Sequence, residues 1–159
     1  MKISVLKQQD DSDCGPTSIK MAADYLGFPI SLKEIGKISQ YKRKDGLTNA
    51  DLVQTIKKLG LKVRAKTNAS WADLRRLNTD DAVIIVSWMK YGYMGHFSVV
   101  DTVEKDFITL ADPEFGTMEK MQKLIFMRLW LDYDDHWYAK KNTDIQLRWM
   151  AVVSKKTKK

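Results

Sequence analysis

Cys14 is the residue of this sequence with the clearest capacity for covalent chemistry. It is the only cysteine, and it follows the polar segment 10–13 at the start of a predicted helix, in which Pro16 suits the first turn and Gly27 the C-terminal end. The positive end of a helix dipole favours a thiolate. A free cysteine is also often a small buried apolar side chain, although Cys14 lies off the apolar stripe of this helix. A nucleophile and a core residue therefore both remain open interpretations.

A nucleophilic cysteine requires a base beside it, and the sequence contains two histidines. His96 opens a β-rich segment behind residues 92–95, whose two glycines allow a flexible approach that could leave one face of the ring open. His136 lies in an acidic stretch without a recognisable pattern. We therefore predict His96 as the base and a surface loop for His136. One cysteine and two histidines do not compose an ordinary zinc site, and we predict neither a metal nor a cofactor.

The base in turn requires a group that orients its ring, and Asp112 is the candidate. It ends the strand that follows His96, because Pro113 cannot donate to a strand ladder. A hairpin with its turn near Lys105 would bring residue 112 opposite residue 97 or 98, close enough for the carboxylate to hold Nδ1 of the ring. An aspartate before proline is also common in turns. Asp101 is the competing carboxylate, but it lies in the middle of its strand.

The remaining pattern supplies the elements that must position these residues. Apolar positions at helical spacing predict helices over residues 12–27, 31–38, 48–60, 70–77 and 118–131. Alternating or continuous apolar runs predict strands over residues 61–66, 82–88, 96–103, 107–111 and 145–153. Helices precede an antiparallel sheet, which is the α+β class, and the length suits a single domain over residues 1–159.

Charge and hydropathy exclude several classes of protein. The net charge is +7, but four of the lysines lie in residues 155–159, and without them the excess of 23 basic over 20 acidic residues is +3. This distribution, with no recognisable motif, does not favour nucleic-acid binding.

The longest apolar run has five residues, 82–86, against about 20 for a membrane span. The first residues do not form a secretory signal, and one cysteine suits a reducing compartment. We therefore expect a soluble, cytoplasmic protein.

Three segments together resemble the C39 peptidases, a family of papain-like cysteine proteases that includes the leader-processing domains of bacteriocin-exporting ABC transporters. These segments are QQDDSDCGP at residues 8–16, GHFSVV at residues 95–100 and ADP at residues 111–113. Their order and spacing match the family over roughly residues 3–130, and residues 132–159 fall largely outside the resemblance. The resemblance implies a papain-like fold, with helices packed on an antiparallel sheet, and no cofactor.

The resemblance also implies a role for individual residues. It matches Cys14 to the nucleophile, His96 to the base and Asp112 to the orienting carboxylate. The family's glutamine, six residues before the nucleophile, contributes to the oxyanion hole, and Gln8 rather than Gln9 has that spacing. The implied substrate is a peptide, and cleavage after a Gly-Gly pair in a leader peptide is one candidate activity.

The sequence departs from the transporter-linked members of the family in one respect. It has no transporter membrane domain and no P-loop motif, so we expect a free-standing domain that could act beside a separate ABC exporter. Two other functions stay open. The same triad could serve an amidase or acyl transferase, because the thioester intermediate does not dictate what resolves it. A non-catalytic peptide-binding module could also retain the papain-like shell.

Overall fold

Three helices begin where the sequence places caps and first-turn residues. The computed structural model describes residues 3–39, 46–133 and 138–155, so His136 lies outside the described residues. The helices are α1 (Cys14–Tyr25), α2 (Leu32–Ser39) and α3 (Asn49–Lys58). Gly27 follows α1 with a φ of +62°, a left-handed conformation that suits glycine. Ser31 and Glu34 exchange hydrogen bonds at the start of α2, and Thr48 and Asp51 form a capping box on α3.

A six-stranded antiparallel sheet follows the helices. Its strands are β1 (Lys62–Lys66), β2 (Ala82–Lys90), β3 (Met94–Val103), β4 (Phe107–Asp112), β5 (Thr117–Gln122) and β8 (Met150–Ser154), in the spatial order β1-β8-β2-β3-β4-β5. Two further helices, α4 (Trp71–Leu77) and α5 (Lys123–Leu129), connect strands. A second small sheet pairs β6 (Leu131–Tyr133) with β7 (Ile145–Leu147). The short 3-10 turn Asn142–Asp144 directly precedes β7.

The main sheet has an apolar cluster on each face. Val83 and Ile85 of β2 belong to the cluster that contains α1, α2 and α3, whereas Ile84, Val86 and Trp88 belong to the cluster that contains α4 and α5. Alternate residues of a strand point to opposite faces, so the apolar run of β2 packs on both sides of the sheet, where β2 lies between β8 and β3. The α+β prediction is confirmed.

The predicted helix over residues 118–131 is wrong in its first half. Thr117–Gln122 forms strand β5, and only Lys123–Leu129 is helical. Gly116, with a φ of +68°, turns the chain back along β4, whose free edge then offers hydrogen-bond partners to the following residues. Pairing along that edge overrides the helical spacing of the methionines in this segment.

The predicted strand over residues 145–153 is two strands in two sheets. The break occurs at Arg148, whose φ is +49°. Its N–H donates to the carbonyl of Trp130 at 2.9 Å, and the indole N–H of Trp130 donates to the carbonyl of Trp149 at 2.8 Å. These bonds fix the turn between β7, in the small sheet, and β8, which pairs with β1 and β2 in the main sheet.

Within the described ranges, no helix has the length and apolar character needed to cross a bilayer. The longest of them, α1, has 12 residues.

Candidate active site

Cys14 is the first residue of α1, and it is buried, with 9% of its surface exposed. A turn precedes it, in which the N–H of Asp13 donates to the carbonyl of Asp10 at 3.0 Å. A Cβ atom on Gly15 would lie 3.0 Å from Cδ1 of Leu47. The close approach of Leu47 explains why a residue without a side chain follows the cysteine.

A hydrogen bond one turn further along α1 fixes the helix on β3. The hydroxyl of Ser18 donates to the carbonyl of Phe97 at 3.2 Å, and both groups are buried. Phe97 follows His96 directly, so this contact brings the start of α1 to the strand position that carries the imidazole. The Cys14 side chain lies close enough to the His96 ring there to raise the pKa of the imidazole.

The ring of His96 also contacts Asp112, as the hairpin pattern predicts. Val99 pairs with Ala111 across β3 and β4, which puts residue 112 opposite residue 98. Nε2 of His96 lies 2.9 Å from Oδ2 of Asp112, and both side chains are buried. The expectation that the carboxylate would hold Nδ1 is wrong. Since Nε2 faces Asp112, Nδ1 is the ring nitrogen left for Cys14.

The electrostatic surroundings favour a charged ring and a charged carboxylate. Burial lowers the pKa of His96, but hydrogen bonds with Asp112 and Cys14 outweigh burial and raise it to about 9. Burial raises the pKa of Asp112, but the hydrogen bonds and positive charges of His96 and Lys90 outweigh that effect and hold it below its ordinary value. The site can therefore hold an imidazolium between a sulfur and a carboxylate at neutral pH.

Asp112 has three further hydrogen-bond donors. The hydroxyl of Ser98 donates to Oδ2 at 2.9 Å. The ammonium group of Lys90 and the backbone N–H of Glu114 donate to Oδ1 at 2.8 and 3.0 Å. Sequence reasoning missed all three donors. The available signal was a lysine at the end of the mostly apolar strand β2, where a buried charge requires a partner.

Lys90 also determines whether this site could hold a metal ion. His96, Asp112 and Glu114 bring possible ligand atoms within 4.8 Å of one another. The ammonium group of Lys90, however, lies 2.8 Å from both Asp112 and Glu114. It already supplies positive charge between these carboxylates, so we assign no metal to them.

Gln8 lies at the same end of the sheet. Its backbone N–H donates to the carbonyl of Pro113 at 2.7 Å, next to Asp112. Its side-chain NH₂ group donates to the carbonyl of Asp10 at 2.9 Å, in the turn that leads to Cys14. One hydrogen of that NH₂ group remains for another acceptor. The structure thus brings Gln8 to the carboxylate and to the turn before the cysteine.

The competing carboxylate lies elsewhere. Oδ1 of Asp101 accepts a hydrogen bond from the N–H of Ile3 at 2.7 Å, and the strand pairing is irregular at this position. Of the aromatic residues before His96, Trp88 is buried, whereas Tyr91 and Tyr93 are 53% and 70% exposed.

Comparison with known proteins shows the family to which this chain belongs. The model of the peptidase C39 family matches residues 2–133. This chain belongs to the peptidase C39 family. The transport/processing ATP-binding protein ComA of Streptococcus pneumoniae is 33% identical over 121 residues, which are 74% of this chain and 16% of that protein. The lactococcin-G-processing and transport ATP-binding protein LagD of Lactococcus lactis is 29% identical over 118 residues, or 73% of this chain and 16% of LagD.

Solved structures share the fold over nearly the whole chain. The peptidase domain of Streptococcus ComA has a TM-score of 0.73 at 22% identity, covering 98% of this chain and 100% of that domain. A double glycine motif protease from an AMS/PCAT transporter, solved with the leader peptide, has a TM-score of 0.72 at 17% identity, covering 98% and 93% of the two chains. These likenesses show the fold, and the chain spans only 16% of the ComA and LagD transporters.

Proposed function

We propose that this protein hydrolyses peptide bonds with Cys14 as nucleophile, His96 as acid and base, and Asp112 as the residue that orients the imidazole. The observation that carries the proposal is the position of the only cysteine. It begins a helix and interacts with a buried imidazole, whose Nε2 lies 2.9 Å from a buried carboxylate. Membership of a peptidase family supports the same chemistry.

The reaction would proceed through a thioester. The thiolate of Cys14 attacks the carbonyl carbon of the peptide bond, and the imidazolium of His96 gives its proton to the departing amine nitrogen. The C–N bond breaks and an acyl group remains on the sulfur. Neutral His96 then takes a proton from a water molecule, which attacks the thioester. The carboxylic acid product leaves, and the thiolate–imidazolium pair is restored. Asp112 keeps its charge throughout and holds the ring orientation.

The negative oxygen of each tetrahedral intermediate needs hydrogen-bond donors. The second hydrogen of the Gln8 side-chain NH₂ group and the backbone N–H of Cys14 are the candidates. Cys14 is the first residue of its helix, where N–H groups lack acceptors in the preceding turn. Both donors are held before the substrate arrives, which makes their stabilisation of the developing charge effective.

Gln8→Ala should lower kcat by about 10²–10³-fold and change KM little, because the lost donor acts on charge that exists only in the transition state. Steady-state kinetics on a peptide substrate measure this effect. Gln9→Ala is the matched control, since Gln9 is exposed and is the same residue type one position later. A rise in KM with an unchanged kcat would show that Gln8 only positions the substrate.

His96→Ala should slow the alkylation of Cys14 by iodoacetamide at pH 6 by about tenfold or more. Only the thiolate reacts, and in the intact site the His96 pKa of about 9 keeps a cation beside the sulfur at this pH. The rate can be followed by intact mass, since the chain has one cysteine. Equal rates at pH 6 for the two proteins would contradict an ion pair and with it the proposed nucleophile.

The substrate that the comparisons favour is a leader peptide cleaved after a Gly-Gly pair. ComA and LagD carry processing and transport in their names, and the AMS/PCAT protease structure contains a leader peptide. We propose the same substrate class here, with a separate ABC exporter as partner and the cytoplasm as location. We expect a Gly-Gly peptide to be cut after the pair and its Val-Val counterpart to resist. A product that carries an added amine instead of water would identify an acyl transferase.

A further inference from the structure

We propose that Lys90 is a positioning residue, which keeps the Asp112 carboxylate charged and turned towards His96. This inference rests on the function proposed above. Lys90 ends β2, and only 3% of its side chain is exposed. Lysine is almost never buried to this degree unless its charge is paired. The partners of this ammonium group therefore indicate why it is there.

The first argument is the charge around Lys90. Its ammonium group lies 2.8 Å from Oδ1 of Asp112, 2.8 Å from Oε2 of Glu114 and 3.6 Å from Oε2 of Glu119. Without this cation, three carboxylates would share one region, and one of them would take up a proton. The side chains of Glu114 and Glu119 are 23% and 36% exposed, against 1% for Asp112. Burial penalises the charge of Asp112 most, so Asp112 without Lys90 would bind a proton at a higher pH than it does beside Lys90.

The second argument is the division of the donors between the two carboxylate oxygens. Lys90 and the N–H of Glu114 bind Oδ1, whereas His96 and Ser98 bind Oδ2. The hydroxyl of Ser98 is itself held by the indole N–H of Trp88 at 3.0 Å. With donors on both sides, the carboxylate cannot rotate without losing bonds. Lys90 thus directs Oδ2 to the imidazole.

The third argument is the aromatic cover over the ammonium group. The rings of Tyr91 and Phe115 lie 5.3 and 5.2 Å from Nζ of Lys90, a distance at which cation–π attraction operates. The hydroxyl of Tyr91 donates to Oε2 of Glu114 at 3.1 Å. Tyr91 has a φ of +56°, which is rare for a bulky residue. The surrounding contacts hold this conformation, and they keep the ion pair covered.

Lys90→Met should move the acid limb of the kcat/KM pH profile upward by about one pH unit or more, because Asp112 then holds a proton to a higher pH. Protonated Asp112 cannot stabilise the imidazolium that His96 forms beside Cys14. We therefore expect the relative loss of kcat/KM to be largest at the acid end of the profile and to shrink towards pH 8, with a nearly unchanged KM. Removing one of the uncompensated carboxylates, in Lys90→Met/Glu114→Gln, should move the limb back towards that of the wild type.

Lys120→Met is the matched control. Lys120 lies on β5, an edge strand of the same sheet, and pairs with Glu104 at 2.8 Å, but both side chains are about half exposed. Like Lys90, it lies over an aromatic ring, that of Phe107 at 4.9 Å. The pH profile of this control should match that of the wild type.

Lys90→Gln is the second variant, because it keeps a hydrogen-bond donor while it removes the charge. It should also raise the acid limb, and it carries the test if Lys90→Met does not fold. If the variants lost the same fraction of activity at every pH, the proposal would be overturned, since a purely structural role of Lys90 would have that effect. Failure of both variants to fold would also overturn it.

Failure of the proposed function is distinguishable from failure of this inference. In the first case, the wild-type protein and Cys14→Ala would be equally inactive on every peptide. The rate of Cys14 alkylation by iodoacetamide would still report on Lys90, and at low pH it should fall in Lys90→Met. An active wild type with unshifted profiles in Lys90→Met and Lys90→Gln would overturn only the inference about Lys90.

Discussion

Cys14→Ala should abolish peptide cleavage, with a loss of kcat of about 10⁶-fold if the precedent of a serine triad transfers. No other thiol exists in the chain to take over the attack, and the remaining donors can only polarise the carbonyl. Cys14 packs in the apolar cluster beneath α1, so alanine removes one buried atom and should leave the fold intact. Product formation measured by mass over long incubation is the readout.

Ser12→Ala is the matched control for Cys14→Ala. It removes one γ atom in the same turn, and the hydroxyl of Ser12 is buried with no hydrogen-bond partner among the described residues. Its activity should stay within about twofold of that of the wild type. Cleavage by Cys14→Ala at a rate near that of this control would remove the sulfur from the mechanism.

Asp112→Asn should lower kcat by a factor that reaches about 10⁴ on the serine-triad precedent, because the amide can neither stabilise the imidazolium nor impose the correct tautomer. The pH profile should change as well. Asp112 raises the pKa of His96 to about 9 against the opposing effect of burial. Without the carboxylate, His96 loses its proton at a lower pH, so the alkaline limb of kcat/KM should move downward from about pH 9.

Asp101→Asn is the control for Asp112→Asn. It is the other buried aspartate of this hairpin, and asparagine keeps the side-chain oxygen that accepts the N–H of Ile3 at 2.7 Å. The activity and the alkaline limb should both stay near the wild-type values. An Asp112→Asn variant whose profile matched this control would show that the carboxylate does not act on the imidazole.

The positions of the proposed triad follow from local rules. Pro16 and Gly27 bound the helix that begins at Cys14, since one suits the first turn and the other the left-handed end. The length of the β3–β4 hairpin determines its register, and that register brings Asp112 to the end of the sheet that carries His96. Each of these features depends on only a few neighbouring residues, so the sequence alone was sufficient.

The features that depend on distant packing were not predictable. Residues 117–122 have the spacing of a helix, and only the free edge of β4 makes them a strand. Nε2 rather than Nδ1 faces Asp112, and this depends on the orientation that the His96 ring takes in the packed site. The sequence around Lys90 predicts only a polar residue at the end of an apolar strand. Its ion pair with Glu114 forms because the turn after β4 brings Glu114 to this place. No pattern within any one segment specifies these contacts.

The central claim is that the sulfur of Cys14 bonds covalently to the substrate carbonyl. It is tested most directly by intact mass, after rapid acid quench, during turnover of a Gly-Gly peptide whose leaving amine is replaced by an activated ester. Acylation then outruns hydrolysis, and the intermediate accumulates. We expect the added mass of the acyl group, mapped by peptide digestion to Cys14. Turnover of the ester with no acyl group on Cys14, or with the acyl group on another residue, would contradict the account.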